Sequence, residues 1–191
     1  MSAVGRAGYK IADAVKALGV DFREKTVLDI GSSTGGFTEF ALKKGATHVI
    51  AVEKGTNQMK APLRFDERVE LYEKMDIFDF HCMPPDIILA DVSFVSLRKV
   101  LRYAAKELAD EHTEYLVMLK PQFEARFGQL DDGVVKNNRI RRAIIADFEY
   151  WLKRNGFVVK GKRDNELAGR YGNVERFYYL KGAELKERAR R

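Results

Sequence analysis

At 191 residues, with 46% hydrophobic and 32% charged side chains, the chain suits one globular domain with a single substantial core and excludes a disordered polymer. Its longest apolar stretches, such as Ile87-Ile88-Leu89-Ala90, are strand-length, far short of the roughly 20 residues a membrane helix needs, and Met1 to Lys10 holds no apolar signal segment. Cys82 is the only cysteine, and His48, His81 and His112 show no ligand spacing; this excludes an internal disulfide and a Cys-rich zinc site, leaves no metal expected, and suits a reducing cytoplasm.

In chain order, Ile11, Ala14, Val15 and Leu18 recur at helical spacing and predict an amphipathic helix closed by Gly19. A strand over 26–30, a helix over 35–44 ended by Gly45, and a strand over 47–52 terminating at Glu53 follow. A short helix is expected near 57–65 and a strand near 69–73. Pro84-Pro85 stops the chain before a strand over 86–90, which ends at Asp91. A helix over 95–109 precedes a strand over 115–119, ended by Lys120-Pro121, and 122–137 reads as a long loop. The helix near 138–154 carries Ile140, Ile144, Phe148 and Trp151 on one face. A strand over 157–160, a loop with Gly169 and Gly172, and a strand over 175–180 complete the pattern. Strands alternating with helices predict an α/β fold, a largely parallel sheet covered on both faces.

The run Val27-Leu28-Asp29-Ile30-Gly31-Ser32-Ser33-Thr34-Gly35-Gly36-Phe37 is an apolar strand, a loop of small residues and the start of a helix. In a doubly wound sheet that first turn holds a nucleotide-like cofactor. Glycines at 31, 35 and 36 let backbone approach a ligand closely. The spacing departs from G-x-G-x-x-G, which favours a cofactor without phosphates, such as S-adenosylmethionine, over a dinucleotide. A purely structural glycine turn is the alternative.

Polar groups follow apolar runs at Gly31, Glu53, Asp91 and Lys120. The carboxyl ends of parallel strands share one edge, so these four positions converge on one crevice. Glu53, 22 residues after Gly31, suits both hydroxyls of a ribose, or else is a surface acid; Asp76 suits an adenine amino group or a turn. Proline 121 forces the strand to end at Lys120 and presents that amine on a fixed backbone. Asp91 would orient the amine and Lys10 would supply a second cation; a structural salt bridge from Asp91 to either lysine is the plain alternative. Charge placement points the same way: Lys160–Arg191 holds ten Lys/Arg against five Asp/Glu, most of the net +6. That excess suits a nucleic acid, or a solvated C-terminal helix from Ala183 onward.

Arg6-Ala7-Gly8-Tyr9-Lys10, DIGSSTGGF (29–37), ADVSF (90–94), LKPQFE (119–124), DGVV (132–135) and GNVERFYYL (172–180) occur in order. Together they resemble the FtsJ-like methyltransferases, specifically the TlyA branch, named as haemolysins but acting as ribosomal-RNA 2′-O-methyltransferases. The resemblance implies a Rossmann-like seven-stranded sheet with an antiparallel last strand over residues 1–182, followed by a basic tail at 183–191. It implies S-adenosylmethionine at the glycine turn, held by Asp29, Gly31, Ser32, Ser33, Gly35, Gly36, Phe37, Glu53, Asp76 and Asp91. It places a catalytic Lys-Asp-Lys-Glu tetrad on Lys10, Asp91, Lys120 and Glu175, with Lys120 as proton acceptor. Ribosomal RNA or ribosomal subunits are the implied partner, with no membrane and no metal. Arg6, Arg126, Lys136, Arg139, Arg163, Arg170 and Arg176 are the cations expected on RNA. For Phe123 and Phe127, core packing is favoured over stacking on a base.

Two departures stand out. The first motif usually reads R-G-G-x-K, and here position 7 is alanine. The branch carries an N-terminal S4-like RNA-binding domain, whereas this chain starts almost directly before the first motif, either shortened or a minimal form that recruits RNA through its tail or a partner. The competing classes are a nucleotide-dependent oxidoreductase, a membrane-active haemolysin and a non-catalytic RNA-binding relative. The first lacks its glycine pattern, and the second has no lipid-seeking stripe.

Overall fold

The computed structural model describes residues 6–165 and 172–182, with Arg6 described by its backbone only. Among them the elements are α1 (Arg6–Leu18), β1 (Thr26–Ile30), α2 (Gly36–Lys43), β2 (His48–Glu53), β3 (Val69–Glu73), β4 (Ile87–Ala90), α3 (Leu97–Tyr103), β5 (Glu114–Leu119), α4 (Asn138–Arg154), β6 (Phe157–Asp164) and β7 (Arg176–Gly182). They form a seven-stranded sheet of order β3-β2-β1-β4-β5-β7-β6. The first five strands are mutually parallel, while β7 runs antiparallel to both β5 and β6.

Strand residues alternate between two cores. Leu28, Ile30, Ile88, Val117 and Tyr178 pack with α3 and α4 on one face. Val27, Val49, Leu89, Met118 and Phe177 pack with α1 and α2 on the other. The chain winds outward from β1 to β3 and returns to β4 beside β1, so the order reverses between β1 and β4. Crevices in open α/β sheets form at that reversal.

Three expectations change. The helix expected near 57–65 is a single 3₁₀ turn, Leu63–Phe65. Pro62 removes a helical donor, and Asn57 sits at φ 55°, so no longer helix can form there. The helix expected from 95 starts at Leu97, because Asp91–Ser96 forms a loop with Phe94 at φ 63°, and its last turn, Ala104–Leu108, is π-helical. The strand expected to stop at 160 continues to Asp164, shifting register between Val159 and Gly161. A Cβ at Gly161 would stand 2.8 Å from Leu18 Cδ2, so the glycine there seats α1 rather than ending the strand.

The glycine turn is crowded by the protein itself. Gly35 lies at φ +88°, and a Cβ there would come 2.4 Å from Leu63 Cδ2 and 3.1 Å from Met59 Cε. Gly35→Ala should therefore cost about 1–3 kcal/mol in urea denaturation, from backbone strain and overpacking together.

Candidate active site

The carboxyl edge of the sheet is built from main-chain donors and a few acids. Gly31, at φ +79°, turns the chain after β1, and the Gly31 and Ser32 amides both donate to Val52 O, at 2.9 and 3.2 Å. The turn thereby leans on β2, whose last residue is Glu53. The Ser33 amide donates to Glu53 Oε2 at 2.9 Å and the Gly55 amide to Oε1 at 2.6 Å. Gln58 Nε2 reaches the same Oε1 at 3.3 Å, while its Oε1 accepts from Ser33 Oγ at 2.8 Å. Beyond β3, Asp76 accepts from the Phe78 amide and from Lys54 Nζ at 2.8 Å, and the lysine holds its carboxyl below the usual range. Between these groups and Asp91 opens a cavity of about 510 Å³, lined also by Gly31, Ser33, Phe78 and Phe94.

Two lysine–carboxylate pairs stand at this edge. Lys120 Nζ lies 2.6 Å from Asp91 Oδ1 and donates to Ser93 Oγ at 2.9 Å. Asp91 Oδ1 is itself buried, and the Lys120 ammonium is its ion-pair partner. Lys10, from α1, is 8% exposed and donates to Glu175 Oε2 at 2.5 Å; Glu175 is 4% exposed. The β5–β7 register explains the juxtaposition. Leu119 pairs with Arg176, so the next residues outward, Lys120 and Glu175, are neighbours at the edge. Because β7 runs antiparallel and begins where β5 ends, the acid just before β7 stands beside the lysine just after β5.

The remaining turn residues lie mostly beneath the crevice. Asp29 is fully buried, accepts from Thr38 Oγ1 at 2.6 Å through Oδ2, and leaves Oδ1 unpartnered. Burial pushes its carboxyl up to about 7. Phe37 sits in the α1–α2 core, 6.1 Å from the Phe177 ring, and buried Ser32 leaves its hydroxyl oxygen unpartnered. A Cβ at Gly36 would meet Ala7 Cβ at 2.8 Å, and one at Gly31 would meet Asp91 O at 3.2 Å. The missing Cβ atoms admit α1 and the β4 loop, and Gly31 also lines the cavity.

The model of the family described as FtsJ-like methyltransferase matches residues 3–182. The chain belongs to the FtsJ-like methyltransferase family. It is 34% identical to the 23S rRNA (cytidine-2′-O)-methyltransferase TlyA of Campylobacter jejuni, over 92% of this chain and 70% of that protein. It is 36% identical to Hemolysin A of Brachyspira hyodysenteriae, over 90% and 74%. A solved structure from Streptococcus thermophilus, described as a candidate hemolysin, superposes with a TM-score of 0.90 at 33% identity, covering 96% of this chain and 68% of that one. The chain thus spans about two thirds to three quarters of the length of these relatives.

Within this FtsJ-like domain the expected RNA cations divide sharply. Arg176 is held by Asp164, at 2.5 Å, and by Glu149, and its guanidinium is pushed further up by the Asp164 hydrogen bonds. Arg163 pairs with Asp13 at 3.0 Å. Arg176 is largely buried in its pairs, whereas the Arg163–Asp13 pair lies at the surface. Lys136 is exposed but paired with Asp131. Arg126 and Arg139 are exposed with no ion pair among the described residues. Arg170, the Arg6 side chain and the tail at 183–191 lie outside the described residues. Core packing was favoured for Phe123 and Phe127; Phe123 is half-buried against the Phe94 ring at 5.2 Å, but Phe127 is fully exposed.

Sequence reasoning missed Ser93, Phe94 and Gln58. Phe94 is 92% exposed at the cavity mouth in a left-handed conformation that only glycine adopts freely. An aromatic after an apolar strand reads as core, and only its place in the ADVSF motif hinted otherwise. Among the described residues no helix is long and apolar enough to cross a membrane, and no cluster of His, Cys, Asp or Glu could hold a metal.

The Asp29 shift carries a sign that can be measured. A raised acid keeps its proton in the native state after the unfolded chain has lost it, so this group's contribution is present at low pH and is lost as pH rises from about 4 to about 7. Asp29→Asn, which keeps the acceptor for Thr38, should flatten the fall in stability over that window by about 2–4 kcal/mol, read from urea midpoints between pH 4 and 8.

Proposed function

We propose that the protein transfers a methyl group from S-adenosylmethionine to a ribose 2′-hydroxyl of ribosomal RNA. The observation carrying this reading is the pair Lys120–Asp91, 2.6 Å apart, at the rim of a cavity whose other walls carry Glu53 and Asp76. The relatives named rRNA (cytidine-2′-O)-methyltransferases support the substrate class.

The cavity suits the methyl donor. Glu53, fixed by the Ser33 and Gly55 amides and by Gln58, keeps a lone pair on Oε2 for a ribose hydroxyl. Asp76 and the Phe78 ring offer a polar and an apolar contact to a purine. The Asp91 carboxylate, which lines the cavity, favours a cationic group nearby. When bound, S-adenosylmethionine supplies an electrophilic methyl on a sulfonium.

The chain's own groups then have to align and deprotonate a poor nucleophile. Lys120 Nζ, anchored by Asp91 and Ser93, fixes the 2′-oxygen in position. The proton leaving the hydroxyl passes to Nζ, and the Asp91 oxygen 2.6 Å away takes up the one that Nζ gives up. The buried Lys10–Glu175 pair stands at the same edge as Lys120 and fixes the Lys10 ammonium there. Phe94, exposed at the mouth, offers a face on which the target base can stack. Arg126 and Arg139 supply phosphate contacts, and the cytoplasm, where ribosomal RNA resides, is the compartment.

Lys120→Ala should lower methyl transfer to ribosomal RNA by about 10²–10⁴-fold while calorimetry shows S-adenosylmethionine binding nearly unchanged. Retained transfer in that variant, or no difference in 2′-O-methylation of ribosomal RNA between cells with and without the protein, overturns the reading. Arg126→Ala combined with Arg139→Ala should weaken RNA binding across sequences and reduce the salt slope of affinity by about two, measured by filter binding between 50 and 200 mM salt.

A further inference from the structure

Glu124 is a buried acid that the reaction as described does not use. Its side chain is 4% exposed, four residues past Lys120. Its Oε1 accepts the Leu97 amide at 2.6 Å and its Oε2 accepts Ser96 Oγ at 2.9 Å. Arg98 Nε lies 3.2 Å from the same Oε2, and Arg98 is in turn held by Asp147 of α4 at 2.9 Å. All of these partners belong to the end of the β4–α3 loop and the first turn of α3, the segment that follows Asp91, Ser93 and Phe94.

Two loops therefore meet along a short seam. Lys120 touches Asp91 and Ser93, Phe123 packs on Phe94, and Glu124 takes the last residue of the 91–96 loop and the first of α3. Of these contacts, Glu124 alone sits away from the reacting atoms. The loop it fastens also contains Phe94 in a left-handed conformation, which a non-glycine residue keeps only where the surroundings hold it. Burial pushes the Glu124 carboxyl up, so the site spends stability to keep an acid there.

We infer that Glu124 is a positioning residue: it clamps the β4–α3 loop to the β5 end and so sets Asp91 and Ser93 at the distance from Lys120 that methyl transfer requires. This rests on the functional reading above. A displacement of about 1 Å in such a site costs about 10²-fold in rate, so although the clamped loop also lines the cavity, its release weighs more on the chemical step than on binding.

The test uses the full chain with Glu124→Ala and Glu124→Gln, methyl transfer to ribosomal RNA, S-adenosylmethionine calorimetry and amide exchange over 92–97. The glutamine keeps an acceptor for the Leu97 amide and the shape of the side chain. Glu124→Ala should lose about 10²-fold in kcat with KM for RNA and Kd for S-adenosylmethionine within about threefold. Glu124→Gln should recover to within about tenfold of the unmodified protein, and exchange at 93–97 should quicken in the alanine variant far more than in the glutamine variant. An unchanged kcat in Glu124→Ala, or a parallel loss of kcat, both affinities and thermal stability, would overturn the clamp. If the unmodified protein transfers no methyl group to ribosomal RNA, the functional reading fails, and amide exchange then decides the clamp alone: quickening keeps it and unchanged exchange sinks it.

Discussion

Four charged side chains taken largely out of water at one sheet edge can persist only as complementary pairs. A buried ammonium or carboxylate without its partner costs on the order of 3–5 kcal/mol, because the lost hydration is not replaced. Lys10 with Glu175 and Lys120 with Asp91 meet that condition, and the strand order makes it possible. Strand β7, inserted antiparallel between β5 and β6, brings its first residues to the edge where the parallel strands end. A parallel strand in that place would begin at the opposite edge and leave Lys10 facing no acid. The antiparallel final strand is thus as much a part of the site as the glycine turn.

The glycine turn is held in place by the protein around it. Gly31, Gly35 and Gly36 make room for Asp91, Leu63 and Ala7 respectively. The close approach of those groups brings α1, with Lys10, and the β4 loop, with Asp91, against the first turn. Glu53 is tied by the Ser33 and Gly55 amides before any ribose could reach it, so its oxygens are aimed by backbone rather than by a free rotamer. Below, Asp29 is a neutral-leaning acid bonded to Thr38, a support under the turn that keeps its second oxygen unsatisfied.

Much of this was readable in the chain. Seven apolar runs separated by helical periodicities announce the doubly wound sheet, and helix α4 was legible from Ile140, Ile144, Phe148 and Trp151, of which Ile144 and Phe148 are buried while Ile140 and Trp151 are half-buried. The 57–65 segment was not, since a run of mixed composition with Pro62 has helical residues but no helical partner to pack on. Strand β6 was under-read for a related reason: its second half is Lys, Gly, Lys, Arg and Asp, which reads as loop, yet main-chain pairing with β7 and ion pairs to neighbouring acids carry it on to Asp164.

Motif resemblance and strand ends pointed to Lys10, Asp91, Lys120 and Glu175 and led to the expectation that Asp91 orients Lys120, while Glu175 was left to position either Lys10 or a ribose; the fold pairs it with Lys10. By itself the sequence determined which residues are apolar at which period, where prolines and glycines stop each element, and hence that Glu53, Asp91 and Lys120 sit at strand ends. The tertiary structure decided that Lys10 takes Glu175, that Arg163 pairs with Asp13 and Arg176 with Asp164, and that Phe94 and Phe127 face solvent. Periodicity is a local property carried along the chain; the partner of a charge, or the exposure of a ring, depends on which distant strands lie side by side.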